Sequence, residues 1–382
     1  MNLFNVYPLY NITPVSAIDC TITDEKGVEY LDLYSGHGVI SIGHTHPEYV
    51  AKLKEQLDKI GFYSNAIQNP LQVELAFKLG KITGLDNYSL FLCSSGAEAN
   101  ENALKLASFH NNKSRVISFN NSFHGRTSAA VAVTDNKRIT APINAQQVVA
   151  FLPLNNIDLV EIEFIKGDIS CVIIEGIQGV GGLDEGTPEF FQDLKKLCAK
   201  YKVVLILDEV QSGYGRTGKF FAHQHHNIKP DIISIAKGMG NGFPIGGILI
   251  SPDFEASYGL LGTTFGGSHL ACAAGIAVLD VIENEKLMDN VIQVTDYFMN
   301  VIKKVPYVKK IKGKGLMLGI EFDFDVSELR KKLIIEKHIF TGSANNKNLL
   351  RILPPLTIKK DDIDTFILAL TETLEELKSQ TS

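Results

Sequence analysis

Short apolar runs, hardly interrupted by polar residues, recur through the middle of the chain. They are SLFLC (89–93), VISF (116–119), CVIIE (171–175), VVLILD (203–208), IISIA (232–236) and GGILI (246–250). A strand with one face in water alternates apolar and polar residues, whereas a strand covered on both faces does not. The runs therefore predict a mostly parallel sheet clad by helices. Helical stretches lie between some of them: EANENALKLASFH (98–110) and PEFFQDLKKLCAKY (188–201) repeat apolar residues every three or four positions. Strand and helix in alternation are the pattern of an α/β fold with a doubly wound sheet. The glycines gather at the ends of the runs, where tight strand-to-helix turns need them.

The chain ends read differently. Residues 1–50 read as an irregular arm and a short β segment, DCTITDEKGVEYLDL, and 51–285 as a large domain. Residues 286–382 read as a helix, the stretch YVKKIKGKGLMLGIEFDF and then helix, strand and helix. The expectation is a smaller α+β domain built from both chain ends around the large one. A length of 382 residues fits two such domains. The net charge of −6 and the lack of a Lys/Arg-rich run argue against nucleic acid as a partner. No apolar run approaches the roughly 20 residues of a membrane span. The first basic residue is Lys26, so no signal peptide is expected. Five scattered cysteines, never paired as CxxC, read as reduced thiols, and the expected location is the cytoplasm.

Three positions could carry chemistry. Ser94-Ser95-Gly96-Ala97 follows a strand and opens a helix, where free backbone N–H groups and small side chains let a phosphate approach. An ordinary serine N-cap would look the same. Asp208 ends the strongest strand pattern, at the edge where open α/β sheets bind ligands, although it could simply cap the next element. Lys237 follows IISIA and precedes Gly238, Gly240 and Gly242. A lysine in a desolvated pocket makes imines readily, yet a lone lysine after a strand is commonly a solvated surface residue. The functional reading rests on all three together: a phosphate cradle, a strand-end carboxyl and a pocket lysine, in that order.

With those residues stand longer matching stretches: VYPLYNITPVSAIDCTITDEKGVEYLDLYSGHGVISIGHTHP, SSGAEANENALKLA, SFHGRTS, LILDEVQSGYGRTGKFFAHQHHNIKPDIISIAKGMGNGFPIGG, TTFGGSHLACAAG, KGLMLGIEF and LLRILPPLTI. Through them the whole chain resembles the class III (subgroup II) aminotransferases of pyridoxal-5′-phosphate (PLP) fold type I, in the acetylornithine, N-succinylornithine and ornithine aminotransferase branch. The resemblance implies PLP carried as an imine on Lys237, with Ser95, Gly96 and Ala97 on its phosphate and Phe123 stacked on its ring. Asp208 would pair with the ring nitrogen, Gln211 would contact the phenolic oxygen, and Glu175 would support the ring-side hydrogen bonds. Thr264 would reach the phosphate of a partner subunit, making a homodimer the active unit. Tyr7, Arg126 and Thr263 would meet the substrate carboxylate, and Arg351 would clamp a second one. The implied reaction moves the δ-amino group of an N-acylornithine to 2-oxoglutarate, in arginine biosynthesis. Free ornithine or a 4-aminobutyrate-type donor, or a decarboxylase or aminomutase on the same fold, remain alternatives.

Two departures from the family pattern stand out. The family reads EPxQGEGG where this chain reads EGIQGVGG (175–182). The missing glutamate would pair with the clamp arginine, so Val180 demands another acid, an ion or a changed substrate set. The family also reads TFGGNPLAC, and Ser268-His269 here replace Asn-Pro, expected to affect the subunit interface more than the chemistry. His223, His225 and His226 in HQHH read as a surface turn and not a metal site, since no cysteine or carboxylate pattern accompanies them. His44 and His46 read as a structural turn, and Cys93 as packing.

Overall fold

A computed structural model describes residues 1–379. In chain order the strands β1 (Pro14–Ile18), β2 (Thr21–Asp24) and β3 (Glu29–Asp32) lead into a single turn α1 (Ser35–Gly38) and the helices α2 (Pro47–Lys59) and α3 (Pro70–Thr83). The middle of the chain runs β4 (Ser89–Cys93), α4 (Gly96–Asn111), β5 (Arg115–Phe119), α5 (Ser128–Ala132), β6 (Val149–Leu152), α6 (Ile157–Ile165) and β7 (Ile169–Glu175). It continues through α7 (Pro188–Tyr201), β8 (Val204–Asp208), β9 (Ile232–Ile235), β10 (Gly246–Ile250) and α8 (His269–Asn284). Then follow α9 (Leu287–Val301), β11 (Lys310–Lys314), β12 (Met317–Glu321), α10 (Ser327–Ile335), β13 (Ile339–Phe340), β14 (Gly342–Ser343), β15 (Leu349–Ile352) and α11 (Lys360–Ser379).

Seven strands form the central sheet in the order β4-β10-β9-β8-β7-β5-β6. The pairs from β9 through β6 are parallel, and β10 runs antiparallel to both of its neighbours. The architecture is α/β with a mostly parallel sheet, as the apolar runs indicate. Successive residues of β7 enter opposite cores: Val172 and Ile174 join Phe190, Phe191 and Leu205 on one side, and Cys171 and Ile173 join Ala99, Ala103 and Ile206 on the other. That division is why β7 is buried at every position. Within this sheet GGILI is the antiparallel strand, and the edge strand β6 was not among the expected runs.

Strong local signals place the flanking helices. Thr187 caps α7 by accepting from Phe190 N at 3.1 Å, Pro188 opens the helix, and Lys202 ends it in the left-handed conformation. Two four-stranded sheets complete the molecule, β1-β2-β3-β13 and β11-β12-β15-β14. Strand β13 pairs parallel with β3, Ile339 opposite Leu31, so the first fifty residues share a sheet with the C-terminal part. Among the described residues no helix is long and apolar enough to cross a membrane.

Candidate active site

The carboxyl ends of the parallel strands converge on one edge of the sheet. Glu175 and Asp208 close β7 and β8 in register, and Ser234 of β9 pairs with Asp208 two residues before Ala236 and three before Lys237. Because β10 reverses direction twice, Cys93 at the end of β4 lies opposite Gly246 at the start of β10. The N-terminus of α4 therefore opens onto the same edge. A cavity of about 410 Å³ lies there, lined among others by Ser95, Gly96, Ala97, Phe123, Arg126, Glu175, Val180, Asp208, Gln211 and Lys237.

Each wall has a local cause. Ser95 caps α4 by accepting from Glu98 N at 3.2 Å, while Glu98 accepts from Ser94 N at 2.7 Å. This reciprocal cap leaves other first-turn N–H groups facing the cavity. Gly96 is required by crowding, since a Cβ there would lie 2.6 Å from Val210 Cγ1. Asp208 is buried, and its Oδ2 receives Asn100 Nδ2 and meets His124 Nδ1, both at 2.8 Å. His124 Nε2 is buried without a partner among the described residues. Glu175 accepts from Phe123 N and Gly179 N, each at 2.9 Å, and burial raises its carboxyl to about 7. It thereby ties the segment carrying Phe123 to the glycine turn after β7.

Lys237 has a backbone φ of +45°, unusual for a residue with a side chain. Its amine makes no hydrogen bond or ion pair among the described residues, and the side chain keeps some contact with the cavity although protein surrounds it. Burial lowers its pKa below the ordinary lysine value, against the opposing pull of Asp208 and Glu175. A helix N-terminus for an anion, an unpaired amine for a carbonyl and a backed carboxyl between them suit a flat, phosphate-bearing aldehyde.

The other foreseen residues divide. Arg126 is exposed in the cavity wall. Arg351, on β15, is 3% exposed and does not itself line the cavity; its Nη1 lies 3.5 Å from Oε1 of Gln211, which does. Tyr7 is 68% exposed, and Thr264 is exposed as well; neither lines the cavity of its own chain, nor does Thr263, whose hydroxyl accepts from Gly266 N at 3.2 Å. Among the described residues no acid hydrogen-bonds Arg351 in place of the glutamate missing at Val180: its hydrogen-bond partners are all neutral, and Glu175 acts on it only through its charge. The HQHH reading needs correcting. His223 and His226 are buried, one on Glu209 at 2.9 Å and the other stacked 4.2 Å from the Phe191 ring. His124 and Asn100 were missed as individual contributors; they sat unassigned inside SFHGRTS and EANENALKLA.

The sequence profile of the family described as "Aminotransferase class-III" matches residues 6–374. The chain belongs to the class III aminotransferases. This aminotransferase is 41% identical to the acetylornithine aminotransferase of Aquifex aeolicus, over 97% of this chain and 99% of the relative. It is 38% identical to the succinylornithine transaminase of Photorhabdus laumondii, over 94% and 92%. Among solved structures it is similar to the ornithine aminotransferase of Toxoplasma gondii in which PLP partly occupies the active site. That match has a TM-score of 0.90 at 26% identity and covers 97% of this chain and 92% of the other. Both the mostly parallel sheet and the smaller sheets of the class III aminotransferase lie within these full-length matches.

Proposed function

We propose that this aminotransferase uses PLP to move the δ-amino group of an N-acylornithine to 2-oxoglutarate, giving the acylglutamate semialdehyde and glutamate. The observation that carries this reading is Lys237, whose amine makes no hydrogen bond or ion pair among the described residues and has its pKa lowered by burial, in the same cavity as Asp208 and the α4 N-terminus. The names of the acetylornithine and succinylornithine relatives support the choice of donor.

Bound in this cavity, PLP supplies an electron sink for the pair left when the substrate loses a proton. The remaining work belongs to the chain. Ser95, Gly96 and Ala97 hold the phosphate at the helix N-terminus. Phe123 would cover the ring, Gln211 would contact its phenolic oxygen, and Asp208, kept in place by His124 and Asn100, would hold the ring nitrogen. Lys237 Nζ takes the proton from the substrate carbon that bears the amino group; burial keeps that amine unprotonated more readily than a surface lysine. Arg126, with Tyr7 and Thr263, takes the carboxylate far from the reacting carbon. Arg351 takes the carboxylate beside it, which glutamate has and acylornithine lacks. Their planar forks suit carboxylates.

Two chains form the working unit in this reading. Thr264, exposed and not among the residues lining its own cavity, reaches the phosphate of a partner subunit, and the protein works in the cytoplasm on small amino acids. The test is a donor panel of N-acetylornithine, N-succinylornithine, free ornithine and 4-aminobutyrate, each with 2-oxoglutarate. Glutamate formation with an acylated ornithine as the best donor supports the reading. Preference for free ornithine or 4-aminobutyrate overturns the donor, and carbon dioxide release without amine exchange overturns the reaction class.

A further inference from the structure

Arg351 is buried, and among the described residues its hydrogen-bond acceptors are all neutral, although the charge of Glu175 reaches it without a hydrogen bond. Nη1 donates to the Gly179 carbonyl at 2.7 Å and lies 3.5 Å from Gln211 Oε1, Nη2 donates to the Tyr34 hydroxyl at 2.9 Å, and Nε is buried without a partner. A guanidinium can only donate, so Tyr34 Oη accepts from it. The Tyr34 O–H is then free to donate, and His37 Nδ1 lies 2.6 Å away. His37 Nδ1 accepts only in a neutral ring whose proton is on Nε2. Desolvation of that ring, and then the cations of Arg351, Lys237, Arg330 and Arg126, hold His37 below the ordinary histidine value. The donor order Arg351 to Tyr34 to His37 is therefore consistent from end to end.

The backbone is arranged to make this contact. Ser35, Gly36, His37 and Gly38 have φ values of +44°, +57°, +70° and +75°, one left-handed turn in which Ser35 and His37 carry side chains. Such a turn persists only where its surroundings over-determine it. Here Tyr34 N and Ser35 N both donate to Asp32 Oδ1, at 2.9 and 2.7 Å, and Ser35 Oγ donates to the Leu353 carbonyl at 2.6 Å. Gln211 Nε2 donates to the His37 carbonyl at 2.9 Å. The Tyr34 ring lies over Gly342, the residue paired with Arg351 across β14 and β15; a Cβ on Gly342 would be 2.2 Å from Tyr34 Cε2. The turn, the glycine and the two rings converge on one guanidinium.

We propose that Tyr34 and His37 form a neutral seat for Arg351 that stands in for the carboxylate missing at position 180, and that they are positioning residues for the donor half-reaction. The inference rests on reading Arg351 as the clamp for the carboxylate beside the reacting carbon. A donor without that carboxylate leaves Arg351 in its seat, and glutamate or 2-oxoglutarate draws it out. Neutral acceptors bind a guanidinium less strongly than a carboxylate does, so the substrate displaces no competing anion. Removing the seat therefore hurts the donor half-reaction and spares the other.

The test is single-turnover kinetics of the cofactor-loaded enzyme, with N-acetylornithine for one half-reaction and glutamate for the other. Tyr34→Phe is expected to lower kcat/KM for the donor about 10-fold and to leave glutamate within about twofold, the scale of one hydrogen bond to a charged group. His37→Leu moves the donor in the same direction, and His37→Gln, whose amide oxygen accepts from Tyr34, recovers it. Adding Val180→Glu to Tyr34→Phe restores the donor half-reaction, which no repair of a folding defect would do. An equal or larger loss with glutamate, or no recovery with Val180→Glu, overturns the seat. If the wild-type enzyme uses neither acylated ornithine, the donor assignment fails instead. The same ratio is then read with whichever of ornithine or 4-aminobutyrate it uses, and a ratio unmoved by Tyr34→Phe overturns the seat there too.

Discussion

Lys237 is a residue held where it is uncomfortable, in a left-handed backbone and with a desolvated amine. Borohydride reduction of the yellow holoenzyme should fix the cofactor on the peptide containing Lys237, and fixation on another lysine would refute the assignment. Lys237→Ala should keep the phosphate site but slow the proton step by roughly 10²–10⁴-fold. The desolvated amine also has a consequence for stability. Its pKa in the folded apo-protein is below the unfolded value, so the charged form is penalised only on folding. The penalty is full below the folded pKa and vanishes above the ordinary lysine value of 10.5. Lys237→Met, which keeps the volume of the stem, should thus raise the melting temperature of the apo-protein at pH 7 and lose that advantage as pH approaches 10.5. A constant or growing advantage with pH would contradict the burial argument. At this scale the shared cavity of Lys237 and Asp208 was legible because a motif surrounds each. The seat of Arg351 was not, because it depends on a left-handed turn and on a carbonyl 172 positions away in the chain.

Elements were easiest to read where burial on both faces suppresses polar residues. SLFLC and GGILI match β4 and β10 residue for residue, and the Thr-Pro start of α7 fixes its boundary. Two things escaped. An apolar run carries no sign of its direction, so the reversal at β10 was invisible, although it is what brings the α4 N-terminus to the cavity. Strand β6 is short and sits at the sheet edge, where only Leu152 is buried, so its pattern is weak. The HQHH turn was misread because the covering surface comes from α7 and Glu209, which are distant in the chain. Phe191 anchors α7 in the core and stacks on His226 with no exposed surface. Phe191→Ala should cost about 3–5 kcal/mol in chemical denaturation. A loss under about 1 kcal/mol would mean that α7 is not held by this core.

At the scale of the whole molecule the cavity lacks residues that the family pattern brings to it. Thr264 faces outward, and exposed apolar side chains stand near it in the chain or in space: Phe265 is 66% exposed and packs against Phe62, itself 41% exposed. Val73 and Phe77 add exposed apolar surface on α3, at 71% and 69%. Apolar surface of this kind is characteristic of a face covered by another protein. Light scattering during cofactor titration should find a dimer, with dilution to protomers releasing PLP; a monomer that stays fully active would contradict the shared site. The apolar pattern of one chain does not place Thr264, because in the proposed dimer its destination lies outside that chain. In the proposed reaction nitrogen passes from the δ-position of an acylated ornithine to 2-oxoglutarate by way of the cofactor, with Lys237 moving the proton. The direct measurement gives the purified enzyme δ-¹⁵N-labelled N-acetylornithine or N-succinylornithine together with 2-oxoglutarate and follows the label by mass spectrometry. The expected result is ¹⁵N in the amino group of glutamate, with the transfer slowed roughly 10²–10⁴-fold by Lys237→Ala. Label that stays on the donor, or that reaches glutamate undiminished without Lys237, would contradict it.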